Sequence, residues 1–484
     1  MKFGEKIRDI MKEKGISVAE LSRYTGIDSS MLYKILQGKR KPAGRKQVEC
    51  IAKKLRLPER ESRELIQDYY REVLGEEKYY GFRQVMDLFN ALRPFEITKS
   101  GTFSCDTAVL EKNTISGKDE IYNACLAAVE QAAADGETKV GALLCGQYED
   151  FTNLCLPVLQ QYETISLELV TTLNQRERLN ENYRLFNLDR IISLTSILMR
   201  CTNVKTRAVY AGNNTLESLS GLMTEMVVTS RYVILFSADL TCGLVLQKED
   251  AKTMQGIFEK IRKKAVPFLR VYGNSKTFEN LKGKSDDAEE EKLWENLHFH
   301  YYFDPGISAV NVLPRCKALA EHAVTGKTAH SWYVGQLNSF ADFQLLQFHN
   351  KFNMTQITTC QGVEWFTRTG YINESGPRNM TPLSVPERLL VLKICRELYL
   401  EGEFEIADLP DFREDSCAWY VASEELFAFW FPVGEGKFRN EVLSDPGTLK
   451  LFQEYFDFIH TENTLKKEEG IAFLDRCIAQ LQPI

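Results

Sequence analysis

The sequence predicts a multidomain protein: an all-α domain of five short helices, followed by a large α/β (α+β) region. Three observations lead there. The chain has 484 residues, more than a single hydrophobic core usually organises. Its first 75 residues set apolar side chains at helical spacing between capping signals and glycine stops. From Asp119 onward, short apolar runs alternate with helical patterns, as layered α/β structures require.

The elements follow in order. Residues 3–13 place Phe3, Ile7, Ile10 and Met11 on one helix face ahead of Gly15. Ser17 with Glu20 makes an S-x-x-E capping box for a second helix. Asp28 caps a third, which Gly38 stops. Arg45–Leu55 turns Val48, Ile51 and Leu55 inward, Pro58 breaks the chain, and Glu59–Leu74 runs to Gly75. Residues 76–115 show no readable periodicity and stand as a connector. Helices are expected at Ile121–Ala134, Asp150–Gln161, Leu188–Cys201 and Glu249–Val266. Strands are expected at Lys139–Cys145, Ile165–Thr171 and Val204–Ala211, and a hairpin joins Met226–Val228 to Tyr232–Phe236.

The charge run Gly283–Lys292 reads as a solvated segment between two halves. Beyond it come a helical middle around 335–370, a polar loop at Glu374–Pro382, and a capping box at Ser384 and Glu387. Trp419–Phe431 is strand, the turn Ala422–Glu425, and an aromatic strand that reads as buried. Asp445–His460 then carries Leu449, Phe452, Phe456 and Ile459 at helical spacing. Both halves end alike, which suggests two copies of one unit. The expected domains are 1–75, a connector 76–115, a first α/β unit 116–275 and a second 290–484.

Composition narrows the function. Apolar residues at 44% and charged residues at 26% describe an ordinary folded chain. No apolar run reaches membrane-spanning length, and the N-terminus is amphipathic rather than signal-like, so a cytoplasmic protein is expected. The 12 cysteines are scattered without a C-x-x-C pair, so reduced core thiols are expected and no metal site or cofactor. Residues 1–60 hold 16 basic and 7 acidic side chains, a net +9, in a chain whose total is −7. A basic head on an acidic body points to a polyanion as the partner of the head.

That head carries Ser17-Val-Ala-Glu-Leu-Ser22, then Gly26-Ile-Asp-Ser-Ser-Met-Leu-Tyr-Lys-Ile-Leu-Gln-Gly38, then Lys39-Arg40-Lys41-Pro42. A helix, a glycine turn, a second helix, a glycine stop and a basic loop form a helix-turn-helix reader of double-stranded DNA. Ser29, Ser30, Tyr33 and Lys34 lie on the exposed side of its second helix, opposite Met31, Leu32, Ile35 and Leu36.

Residues 3–57 resemble the XRE/Cro-type helix-turn-helix family, which includes phage repressors. The resemblance implies that Ser29, Ser30 and Lys34 reach base edges with Tyr33 beside them. It implies that Ser17, Gln37, Lys39 and Arg40 hold phosphates; the loop Lys39-Arg40-Lys41 falls beside the phosphate backbone, so Lys41 is expected to bind DNA with them. Ser29 and Ser30 stand where glutamines are frequent, and a serine hydroxyl both donates and accepts, so it discriminates bases weakly.

Met223-Thr-Glu225 through Ser237 is similar to the strand hairpin of phospholipase-D-like enzymes, whose motif is H-x-K-x4-D. Met223 and Glu225 occupy the histidine and lysine positions, and neither can serve the covalent phosphodiester mechanism. The literal His349-Asn350-Lys351 lies in a helical pattern and has Gln356 where the aspartate belongs. His298 and His300 share a strand face without a third metal ligand nearby. No phosphate-loop, dinucleotide, nucleophile-elbow or zinc-protease motif occurs. The leading expectation is therefore a non-enzymatic transcriptional regulator, dimeric, with a sensor or oligomerisation region that takes a small-molecule or protein effector. An antitoxin or scaffold clamping a protein partner, and a phosphodiesterase, stand as rivals.

Overall fold

The computed structural model describes residues 3–91, 105–145, 161–162, 164–175, 179–180, 182–198, 201, 203–211, 223–272, 299–307, 355–372, 382–414, 419–434 and 437–482. The chain divides into two compact units. One comprises Met1–Gln84 with Arg178–Leu185, the other Val85–Glu177 with Phe186–Ile484.

The first unit holds the five expected helices: α1 (Phe3–Glu13), α2 (Val18–Thr25), α3 (Ser29–Leu36), α4 (Arg45–Lys54) and α5 (Glu59–Leu74). Their apolar stripes meet in one core of Phe3, Ile7, Leu21, Leu32, Ile35, Val48, Ile51, Leu55 and Leu65. Each such side chain contributes about 1.5–3 kcal/mol by leaving water. Asp28 opens α3, and Gly26 closes α2 in the left-handed region at φ 70°. The Phe3 N–H donates to Glu72 Oε2 at 3.1 Å and Lys6 pairs with Asp68 at 2.6 Å, tying α1 to α5.

A sixth helix, α6 (Glu76–Ala91), occupies the stretch that reads as connector. It begins in the first unit and ends in the second. Tyr79, Phe82, Gln84, Val85, Leu88 and Phe89 are all buried. At 100° per residue they cover more than half the helix surface, so the narrow stripe that betrays a surface helix is missing.

The second unit contains two sheets. The first has eight strands: β1 (Thr114–Ser116), β2 (Lys139–Leu144), β3 (Ser166–Asn174), β4 (Val204–Ala211), β5 (Glu225–Val228), β6 (Tyr232–Phe236), β7 (Cys242–Gln247) and β8 (Val266–Pro267). Their order is β1-β7-β6-β5-β2-β3-β4-β8. The second has seven: β9 (Leu269–Tyr272), β10 (Phe299–Phe303), β11 (Thr355–Thr359), β12 (Glu405–Ala407), β13 (Trp419–Ser423), β14 (Phe427–Gly434) and β15 (Lys437–Leu443). Their order is β12-β11-β10-β13-β14-β15-β9. In each, three parallel strands adjoin a three-stranded antiparallel meander, β4-β3-β2-β5-β6-β7 in one and β12-β11-β10-β13-β14-β15 in the other. The similar endings seen in the sequence correspond to this shared topology.

Helices α7 (Lys118–Ala134), α8 (Phe186–Leu198) and α9 (Lys248–Lys264) accompany the first sheet. Central strand β2 is buried after Lys139, as a parallel strand covered on both faces should be. Gly141 is its one gap: a Cβ there would lie 2.4 Å from the ring of Phe258 on α9. Helices α10 (Cys360–Thr369), α11 (Val385–Glu401), α12 (Pro446–Phe458) and α13 (Lys467–Leu481) accompany the second sheet. There Phe89, Phe303, Phe427, Phe452 and Phe456 stack into an aromatic core.

Three expectations need comment. Of the helical middle around 335–370, residues 335–354 lie outside the described residues and Cys360–Thr369 is helical, but Thr355–Thr359 is strand β11, because its threonines are β-branched and its neighbours β10 and β12 offer parallel edges. The helix ending at His460 instead widens into a π-turn at Ile459–Asn463. This lets the following chain pair with β12, where Leu465 N–H donates to Ile406 O at 2.8 Å and closes an otherwise open sheet edge. The Asp150–Gln161 helix, apart from Gln161, lies outside the described residues, as do the charge run 283–292, the loop 374–381 and His349–Lys351.

In the first unit, Gly4 of α1 touches the recognition helix. A Cβ at this position would lie 2.2 Å from the Ile35 carbonyl oxygen, which is backbone and cannot swing aside. Gly4→Ala should cost about 1–3 kcal/mol. Native-state hydrogen exchange of the full chain checks it: amides of α1 and α3 should lose protection, those of the two sheets should not.

Candidate nucleic-acid interface

The exposed edge of α3 is built by its own N-cap. Asp28 Oδ1 accepts the Ser30 N–H at 2.8 Å, the Met31 N–H at 3.3 Å and the Ser30 hydroxyl at 2.5 Å. These bonds, that of the Ser30 side chain first, hold the Asp28 carboxyl below its usual range. Leu32, Ile35 and Leu36 bury the opposite side, so Ser30, Tyr33, Lys34 and Gln37 face outward, with Ser29 half-buried. Tyr33 keeps 55% of its surface in solvent, a large ring at the place where a major groove would be met.

Ser17 completes the predicted box: its Oγ accepts the Glu20 N–H at 3.2 Å, and Glu20 Oε2 accepts the Ser17 N–H at 2.8 Å. The Ser17 N–H first, and then the Ser17 hydroxyl, which donates to the same Oε2 at 2.9 Å, hold the Glu20 carboxyl below its usual range. After Gly38, the Lys39 and Arg40 N–H groups both turn back to the Lys34 carbonyl, at 2.8 and 3.2 Å. Lys39 and Arg40 then project into solvent. Lys41 is used differently. Its ammonium donates to the Glu72 carbonyl at 2.5 Å and lies 3.5 Å from that of Val73, capping the C-terminus of α5. The basic loop thus splits into two cations facing outward and one serving the fold.

Two features escaped the sequence reading. The N-terminus of α4 begins at Gly44 with no capping side chain, and Lys46 beside it is exposed. Gly44-Arg45-Lys46 was the available signal, although Arg45 turns to Glu49 at 2.6 Å. Tyr24 of α2 is 50% exposed, with Lys54 Nζ 5.2 Å from its ring centre.

The other position of interest lies where β2 and β3 end. Glu225, at the start of β5, is fully buried, and its Oε2 accepts the Cys145 N–H at 2.5 Å. Arg190 of α8, also buried, donates to the Leu144 carbonyl at 3.0 Å, to the Cys145 carbonyl and to Thr171 Oγ1. Burial and the Glu225 charge push the Cys145 thiol up to about 12. The carboxylate therefore fastens strand ends. No group of three or more histidine, cysteine or acidic side chains suited to a metal occurs among the described residues. His300 lies 3.8 Å from Glu424, and no described helix is long and apolar enough to cross a membrane.

Residues 6–56 match the Cro/C1-type HTH DNA-binding domain, a small part of the chain that coincides with α1–α4. No curated protein matches the chain. Among solved structures, phosphatidylserine synthase of Haemophilus influenzae Rd KW20 is similar at 11% identity and a TM-score of 0.22, over 82% of this chain and 95% of that one. Polyphosphate kinase of Porphyromonas gingivalis is similar at 9% identity and a TM-score of 0.22, over 78% of this chain and 56% of that one. Superpositions of that quality assign neither fold nor activity.

The split basic loop separates two substitutions. Lys39→Ala should weaken binding to every DNA sequence alike and reduce the slope of log affinity against log salt by about 1. Lys41→Ala should leave that slope unchanged and destabilise the α5 terminus by about 0.3–1 kcal/mol. Salt titration of DNA binding, with hydrogen exchange at residues 71–75, distinguishes them.

Proposed function

We propose that this protein is a sequence-specific regulator of transcription that binds double-stranded DNA in the cytoplasm and acts as a repressor. The observation that carries the reading is the outward polar edge of α3 beside Lys39 and Arg40, inside the Cro/C1-type match. One eight-residue recognition helix touches few base pairs. Each contributes only about 1–3 kcal/mol of discrimination. Two copies on a two-fold site supply the rest, and the α/β region provides the dimer contact and the seat of an effector.

The full chain should sediment as a dimer. It should bind DNA with two half-sites about 34 Å apart far more tightly than DNA with one half-site. Its affinity should fall steeply with salt. A monomer with equal affinity for both DNAs would transfer the α/β region to the partner-clamp reading, and salt-independent binding would end the DNA reading.

We also propose that the α/β region performs no phosphodiester chemistry. Supporting this, Met223 offers no nucleophile and the Glu225 carboxylate is spent on the Cys145 amide. Assays of the full chain on phosphodiesters and on single- and double-stranded DNA should give no turnover. Turnover that His349→Ala abolishes would reverse the conclusion.

A further inference from the structure

A serine at the start of a recognition helix is ordinarily a poor reader. Its hydroxyl rotates, donates to one base and accepts from another. In this chain the Ser30 proton is already committed. Ser30 Oγ lies 2.5 Å from Asp28 Oδ1, the oxygen that also holds the Ser30 and Met31 N–H groups. A hydrogen bond to a carboxylate is roughly twice as strong as one between neutral groups, so a base acceptor cannot draw the proton away. Nor can the aspartate leave, because it is the N-cap of α3. What Ser30 shows the solvent is its lone pairs, beside those of an exposed carboxylate.

We propose that Ser30, locked by Asp28, is an acceptor-only reader that selects an amino base, adenine or cytosine, on the strand it touches. The adenine N6 and cytosine N4 amino groups are the major-groove donors; guanine and thymine place oxygen lone pairs there instead. A keto base would set lone pair against lone pair and be rejected. One turn further along the helix, Lys34 has only donors and suits guanine, whose O6 and N7 both accept. The tip of α3 thus discriminates amino from keto bases without the glutamine often found at this position. This inference rests on the DNA-reading proposal above.

The test is selection of bound duplexes from a random pool by the full chain, in wild-type form and as Ser30→Ala, Asp28→Ser and Lys34→Ala. Serine at position 28 keeps a capping side chain while releasing the Ser30 proton. Wild type should enrich one position in adenine or cytosine. Ser30→Ala should lose the preference at that position alone, and Asp28→Ser should admit guanine and thymine there. Lys34→Ala should relax a different, guanine-bearing position. Where the selected base is adenine, its replacement by 2-aminopurine removes the N6 donor and keeps pairing. Wild type should then bind about five- to a hundredfold more weakly, and Ser30→Ala equally well. The inference is overturned if the Ser30-dependent position holds a keto base, if Ser30→Ala changes no position, or if Asp28→Ser keeps the amino preference. Should wild type enrich no sequence at all, the DNA-reading proposal falls, and this inference with it.

Discussion

The second unit depends on one crossing of the chain between its two sheets. Val266–Pro267 pairs with β4 in the first sheet, and after Phe268 the strand Leu269–Tyr272 pairs with β15 in the second. Phe268 is fully buried, and its carbonyl accepts the Ser444 N–H at 2.8 Å. Pro267 has no N–H to offer, so the first ladder ends there and the chain is released to the next sheet. Thr206 of β4 donates to the Leu269 carbonyl, and Tyr210 donates to Asp445 at 2.7 Å. The other Asp445 oxygen caps α12 through the Thr448 N–H at 2.8 Å. Two sheets of the same construction are thereby fixed to each other by backbone pairing and a shared carboxylate, which apolar contact alone would leave free to slide.

The elements legible in the sequence are those with one wet face or a local cap. Ser17, Asp28, Ser384 and Asp445 announce helix starts through bonds spanning two or three residues, and the structure forms them. Strands β2, β3 and β4 were legible as apolar runs between helices. Helix α6 was not, because burial over most of its circumference removes periodicity. Strand β7 was missed as well: Cys242–Gln247 carries the apolar run Leu244-Val245-Leu246, but no helix separates it from β6, and its place between β6 and β1 shows only in the fold. Gly243 serves there because a side chain would come within 2.9 Å of the Leu235 carbonyl. Such close approaches are invisible before the partner strand is known.

Of the interface, the residue types and their side of the helix were readable from spacing, since the fold of α1–α4 is local. The state of each group was not. That Lys41 belongs to α5 depends on contacts 31 and 32 residues away. The commitment of the Ser30 proton lies within two residues and is legible in Asp-Ser-Ser, since an N-cap carboxylate accepts hydroxyls as well as amides. In the α/β region, Glu225 was marked as an anomaly, but its partner Cys145 is 80 residues distant, so what it does instead needed the fold.

The burial of Glu225 limits what can stand in its place. A lysine at that position would bring an ammonium into an interior already occupied by the Arg190 guanidinium, and would remove the acceptor of the Cys145 amide. Two uncompensated buried charges and a stranded N–H are among the most destabilising changes a core can suffer. A cation could enter at position 225 only if α8 surrendered Arg190 in the same step. The strand end behaves as a ratchet, crossed by several coordinated substitutions and closed to any one of them.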